Sequence, residues 1–296
     1  MSSGHGHIHT PPHNKAFALG VILNIIFVVV EILFGLIANS SALLADAGHN
    51  ASDVLGLSFA WTASWLATIR PYGKYTYGLR KTTILVSIVN AVLLFIAAIF
   101  IALDAIEKLK YPPEVGGIQI IVVAGIGVFI NTFTALLFMK GQKHDLNLRG
   151  AFLHMAADAA VSLGVVISGL LILVTGKNWI DPVMSIIIIA VILWGTWRLF
   201  TDSVNLALDA VPKNINVEEV RNFIASKKGV ENLHDLHIWA MSTTQVALTA
   251  HLVMPDGNND RFITDLQAEL KERFHIEHTT FQIENKNLRE LCDTDC

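Results

Sequence analysis

Asp46-Ala47-Gly48-His49-Asn50-Ala51-Ser52-Asp53 and its echo His154-Met155-Ala156-Ala157-Asp158 are the stretches on which the reading of this chain turns. Each places a histidine and an aspartate four residues apart inside a long apolar run. Four residues is about one helical turn, so the two side chains share a helix face. An ionisable group within a membrane span costs roughly 2.5–3.5 kcal/mol on insertion scales. Four such groups, in two matching pairs, point to a divalent-metal site in the bilayer built by two helices. Two histidine nitrogens and two aspartate oxygens suit tetrahedral zinc. The histidines weigh against manganese and magnesium, which favour oxygen-only sites. Ligand type leaves cobalt, cadmium and nickel open. The competing reading is a pair of helix-packing His–Asp hydrogen bonds, which explains one such pair more readily than two.

The surrounding composition agrees with membrane burial. Of 296 residues, 53% are hydrophobic and 16% are charged, against roughly 25% charged in ordinary soluble domains. Charges are sparse before about residue 205 and dense after it, the pattern of a membrane domain followed by a small soluble one. The net charge of −4, with no basic face, gives no footing for nucleic acid. Six apolar segments, at 16–38, 41–68, 81–105, 117–139, 148–175 and 179–201, each approach the ~20 residues that a spanning helix needs. Polar or Pro- and Gly-bearing breaks separate them, and Ser40 or Ser41 is placed to cap the second. No cleavable leader is expected, because the first apolar run is too long and lacks a small-residue cleavage site.

Lys15, Arg70, Lys74, Arg80, Lys81, Lys140, Lys143 and Arg149 fall on one side of this six-helix arrangement. Lys108, Lys110 and Lys177 fall on the other, diluted by acidic residues. The richer side is expected in the cytoplasm, with both termini and the C-terminal domain. Within the spans, Asn90 and Asn131 read as interhelical hydrogen-bonding groups. Glu31 either lines a polar path or is a neutral structural group. Asp46 lies near the His49 face but is not counted as a primary ligand.

Beyond Asp209 the pattern becomes helix (217–227), strand (230–241), strand (245–254), helix (260–274) and strand (278–283). This αββαβ order makes a small α+β sandwich with its helices on one face of the sheet. The resulting organisation is a His-containing tail at 1–15, a six-helix transmembrane domain at 16–204, a cytoplasmic α+β domain at 205–287 and a Cys-containing tail at 288–296. His5, His7 and His9 in the first tail either collect metal or have no role. Cys292 and Cys296, the chain's two cysteines, are expected in a reducing compartment. There, metal binding is favoured over a disulfide, and an unligated tail stays open.

The site chemistry supplies a drive. Histidines must be neutral and carboxylates ionised to bind metal, so metal competes with protons. No GxxxxGK[ST] loop is present, so there is no sign of an ATP motor. Three function classes compete for such a chain: a secondary transporter, a membrane-bound metal sensor and an intramembrane metalloenzyme. The enzyme lacks a positioned general base beside an open metal position. The sensor lacks an output domain but remains the alternative.

Several motifs carry a family resemblance. They are Ser41-Ala42-Leu43 leading into Asp46-Ala47-Gly48-His49 and Asp53, Tyr77-Gly78-Leu79-Arg80, His154 with Asp158, Trp179-Ile180-Asp181-Pro182, and Leu233-His234-Asp235-Leu236-His237-Ile238-Trp239. The chain resembles the cation diffusion facilitators over essentially its whole length, specifically the bacterial zinc/cobalt/cadmium efflux type of the zinc-transporter branch. The resemblance implies a homodimer in the bacterial inner membrane that exports zinc, with cadmium or cobalt also open, in exchange for protons by alternating access. It implies a transport site of His49, Asp53, His154 and Asp158. It also implies a metallochaperone-like cytoplasmic domain that binds zinc through His234, His251, His278 and Glu284. Zinc is then cargo and regulator, not a cofactor, and no enzyme activity is expected. His237 is expected in the core or at the dimer interface, and His275 at a solvated helix end. The loop from Arg70 to Lys81 lacks the histidines and aspartate that some bacterial members carry, so no metal site is expected there. His144 alone stands where vesicular members have a His-rich loop, which favours the bacterial type.

Overall fold

The computed structural model describes residues 15–139, 146–257 and 260–286. The elements run α1 (Lys15–Ile37), α2 (Ser41–Ala67), α3 (Thr82–Lys110), α4 (Gly117–Met139), α5 (Leu146–Thr175), α6 (Ile180–Ala207), α7 (Val217–Ala225), β1 (Asn232–Ala240), β2 (Val246–Val253), α8 (Asp260–Phe274) and β3 (His278–Glu284). Six long helices therefore stand where six apolar segments were expected. Four stretches are long and apolar enough to cross a membrane: Thr82–Lys110, Gly117–Leu136, Phe152–Thr175 and Ile180–Ala207. The first two helices fall short of that standard among the described residues. In α1 the apolar stretch that qualifies is the shorter Asn24–Ile37. In α2 the polar residues Asp46, His49, Asn50 and Asp53 dilute the helix that carries them. Large apolar side chains such as Phe129, Val174 and Trp194 lie on the outside of their helices, as surfaces that meet hydrocarbon should.

Two compact units form. One joins residues up to Leu57 with Val92–Thr196, and the other joins Ser58–Ala91 with the chain from Trp197 onward. The division passes through α2, α3 and α6, whereas the change in charge density falls near residue 205. Contacts explain the difference. Lys81 Nζ lies 2.6 Å from Asp209 Oδ1, the Thr243 amide donates to Thr83 Oγ1 at 3.0 Å, and the Tyr77 and His278 rings meet edge-on at 5.6 Å.

In the first unit, α1 and α2 are joined by a tight corner of three residues, 38–40. Asn39 takes a left-handed φ of 53°, which Asn tolerates better than most residues. The Ser40 amide then reaches back to the Gly35 carbonyl at 2.9 Å, closing α1 in a Schellman-type turn. Ser40 next caps α2, its Oγ accepting from the Leu43 amide at 3.0 Å. The same hydroxyl donates to Asp181 Oδ1 at 2.5 Å, and the Ser41 amide donates to Asp181 Oδ2 at 2.6 Å. A fully buried carboxylate at the start of α6 thus serves the first turn of α2. Helices α4 and α5 approach closely where a Cβ on Gly169 would stand 3.1 Å from the Gly117 carbonyl. A larger residue there would push the two helices apart.

In the second unit the sheet order is β1-β2-β3. β1 pairs antiparallel with β2, and β3 pairs parallel with β2 after the α8 crossover. Val220 and Ile224 from α7, Leu248 and Leu252 from β2, and Leu266 and Leu270 from α8 fill the core. Asn216 caps α7 through its side chain, accepting from the Glu218 amide at 3.0 Å and the Glu219 amide at 3.3 Å. One irregularity matters below: the register shifts between His234 and His237, where two residues of β1 face one of β2. Asp235 sits in this bulge with φ 51°.

Candidate metal sites

The two His–Asp pairs converge. α2 brings His49 and Asp53, α5 brings His154 and Asp158, and all four belong to the first unit. His49 Nε2 lies 3.1 Å from Asp158 Oδ1 and 3.9 Å from Asp53 Oδ2. His154 Nε2 lies 3.4 Å from Asp53 Oδ2 and 3.6 Å from Asp158 Oδ2. Each histidine therefore touches the carboxylate of its own helix and that of the other. A tetrahedron with arms of about 2.0 Å has edges of about 3.3 Å, and these four separations scatter around that length. Donor atoms of His49, Asp53 and Asp158 all lie within 4.8 Å of one another. His154 stands at the rim, 47% accessible against 3% for Asp158. The two imidazoles meet edge-on with centroids 6.3 Å apart.

Asp46 does not join this cluster. It is fully buried, and Ser162 Oγ donates to its Oδ2 at 2.8 Å. Glu31 is fully buried as well, and Asn50 Nδ2 donates to its Oε2 at 2.8 Å. Asn131 is also buried.

The cytoplasmic candidates divide. His234 and His251 are cross-strand partners on β1 and β2, and Glu284 ends β3 opposite Val253. Their donor atoms fall within 4.8 Å of one another. His234 Nε2 lies 3.0 Å from Glu284 Oε2, and His251 Nδ1 lies 3.1 Å from Glu284 Oε1. His278 is not brought to this cluster. It opens β3, paired with Ala247, and Glu284 stands six positions further along the strand, about 20 Å at the usual rise. His237 is exposed in the single chain, which corrects its core alternative and leaves its dimer-interface alternative open. The bulge turns it outward, where its Nε2 lies 2.8 Å from Asp235 Oδ1. His275 is exposed at the end of α8, as expected. His5, His7, His9, His144, Cys292 and Cys296 lie outside the described residues.

Sequence reasoning missed Asp235. In a regular strand its side chain would point away from that of His234. The bulge re-aims it, and its Oδ2 lies 3.2 Å from His251 Nε2. The hydrogen bond with His237 holds the Asp235 carboxyl below the usual carboxylate range. The arrangement is a carboxylate on one nitrogen of a histidine whose other nitrogen faces the cluster, the pattern that fixes tautomer and ring orientation at metal sites.

Comparison with known proteins accords with this picture. Residues 17–206 match the family described as the cation efflux transmembrane domain, and residues 212–286 match the cation efflux protein, cytoplasmic domain. The chain is 33% identical over 286 residues to the metal cation efflux system protein CzcD of Cupriavidus metallidurans, covering 96% of this chain and 90% of that one. It is 32% identical over 288 residues to a cadmium, cobalt and zinc/H(+)-K(+) antiporter of Bacillus subtilis, covering 95% and 92%. It is 34% identical over 293 residues to the zinc transporter ZitB of Shigella flexneri, covering 96% and 93%.

Proposed function

The chain belongs to the cation efflux family, also called the cation diffusion facilitators, and on that premise we propose that it exports zinc from the cytoplasm in exchange for protons. It is an integral membrane protein and not an enzyme. The observation that carries the proposal is the convergence of His49, Asp53, His154 and Asp158 at separations that suit one tetrahedral ion. In this reading the four residues are the transport site. Zinc enters when the imidazoles are neutral and the carboxylates ionised, and it leaves when protons reclaim them on the far side. The names of the Bacillus and Shigella relatives support zinc, with cadmium and cobalt as further cargo, and support a proton as counter-ion.

The same reading completes the membrane domain. α1 and α2, of 23 and 27 residues, are long enough to span. We take them as the fifth and sixth spans, with α2 admitted by the neighbours that surround its polar face. The lysine and arginine distribution supports both termini in the cytoplasm of a bacterial cell. The four-part division at residues 15, 204 and 287 is kept as the functional organisation. The protein acts as a homodimer that alternates between inward-open and outward-open states. His234, His251 and Glu284 form a cytoplasmic zinc site that reports the internal metal load, and the His and Cys residues of the two tails contribute secondary ligands.

Zinc flux in inside-out proteoliposomes, in potassium-free buffer with an imposed pH gradient, tests the proposal. Wild-type protein is expected to accumulate zinc when the lumen is acidic, and Asp158→Ala is expected to abolish that uptake. Undiminished uptake by Asp158→Ala would remove the cluster from the transport path.

A further inference from the structure

Glu31 on α1 and Asp46 on α2 are two fully buried carboxyls. Both are fully inaccessible, and Asn50, one helical turn from Asp46 on α2, reaches across to Glu31 on α1, which puts the two carboxyls on the same stretch of the two helices. Their remaining partners are neutral donors: Asn50 Nδ2 on Glu31 Oε2 at 2.8 Å and Ser162 Oγ on Asp46 Oδ2 at 2.8 Å. One oxygen of each, Glu31 Oε1 and Asp46 Oδ1, has no donor among the described residues. The charged or titratable groups that act on the pair from outside are His49 on α2 and Asp158 on α5, and neither is a lysine or arginine. Two carboxylates both ionised there would leave two buried negative charges without a cation, which the interior does not tolerate. One proton held by the pair removes one of those charges and turns an acceptor into a donor, since a carboxylic acid donates where a carboxylate can only accept.

We infer that the Glu31–Asp46 pair is a proton-binding site of the transport cycle, distinct from the four-residue metal cluster. The inference rests on the exchange reading above and deepens it. The placement ties the pair to the cluster. Asp46 and Asn50 flank His49 on α2, and Ser162 lies one turn beyond Asp158 on α5. Glu31's hydrogen-bond partner, Asn50, is outside the cluster. When zinc occupies the cluster, its positive charge one helical turn away favours the ionised pair. The O–H bond of the shared carboxyl then breaks, the proton passes to water, and its electron pair stays on the carboxylate. When zinc departs, the pair takes a proton back. Any shift of α2 against α5 that opens the cluster also acts on the Ser162–Asp46 hydrogen bond, so occupancy of the two sites is linked mechanically as well.

Zinc accumulation at static head separates this role from a structural one. Each proton exchanged per zinc multiplies the accumulation ratio by about tenfold per unit of imposed pH difference. Glu31→Gln keeps the shape and the hydrogen bonding of a protonated carboxyl but cannot release the proton. It is expected to lower the ratio about tenfold at one pH unit, and Glu31→Asp, which keeps a titratable carboxyl, is expected to restore it. Zinc-for-zinc counterflow at equal pH needs no net proton movement and reports whether the variant is folded and carries metal. An unchanged accumulation ratio in Glu31→Gln overturns the assignment. So does loss of counterflow together with accumulation in a chain that still folds, which would make the pair structural. If Glu31→Gln fails to fold, Asp46→Asn is read against the same outcomes. A wild-type ratio that ignores the pH gradient would instead refute proton exchange itself, and the proton site would fall with it.

Discussion

At the scale of single residues, the helical cluster is built from two His–Asp pairs, one on α2 and one on α5. His49 with Asp53, and His154 with Asp158, are four apart, and helix geometry places each pair on one face whatever else the chain does. The cross-helix distances, 3.1 Å from His49 to Asp158 and 3.4 Å from His154 to Asp53, turn two faces into one cluster. Asp235 escaped notice because strand alternation points it away from His234 and His251. The register shift and the left-handed φ at Asp235 undo that alternation. Asp235 now orients His251, so its removal is expected to weaken zinc binding at the cytoplasmic cluster roughly 10- to 100-fold. Calorimetric titration of the full chain carrying Asp158→Ala, with and without Asp235→Ala, measures this. Equal affinity in the two would mean that His251 is held by its strand alone.

At the scale of elements, apolar runs located all six long helices to within a few residues, except at two ends. α3 continues to Lys110 and α6 to Ala207, past the ends that hydrophobicity suggested. In α3 the extra turn carries Lys108, whose ammonium lies 2.9 Å from the carboxylate of Asp104 four residues earlier, and lysines near a helix C-terminus complement its dipole. Hydrophobicity alone undercounts helices that end in charged turns. The cap of α2 was half legible: a serine was expected, and Ser40 serves. Its supporter was not, because Asp181 lies 141 residues away in sequence. Removing the Asp181 carboxylate strands the Ser40 hydroxyl and the Ser41 amide in a buried place. Asp181→Ala is therefore expected to destabilise the protein by about 2–4 kcal/mol. Thermal unfolding of the detergent-solubilised chain checks this, with Asp181→Asn falling between the variant and wild type. An unshifted midpoint would show that water replaces the carboxylate without loss.

At the scale of the whole chain, the split into an apolar part and a charged part was plain from composition. The unit boundary was not, because it is set by contacts such as Lys81 with Asp209 that bridge 128 residues. Charge density marks where the chain leaves apolar surroundings; it does not say which helix ends pack with the sheet. The central claim, that one zinc ion rides among two histidines and two aspartates in the helical unit, does not depend on that boundary. Zinc K-edge absorption of the zinc-loaded full chain tests it most directly, with His251→Ala and Glu284→Ala introduced to silence the cytoplasmic cluster. The account predicts one zinc per chain with four nitrogen or oxygen ligands at about 2.0 Å, two of them imidazoles. A six-coordinate shell, a sulfur shell, or a spectrum that survives His49→Ala with His154→Ala would contradict it.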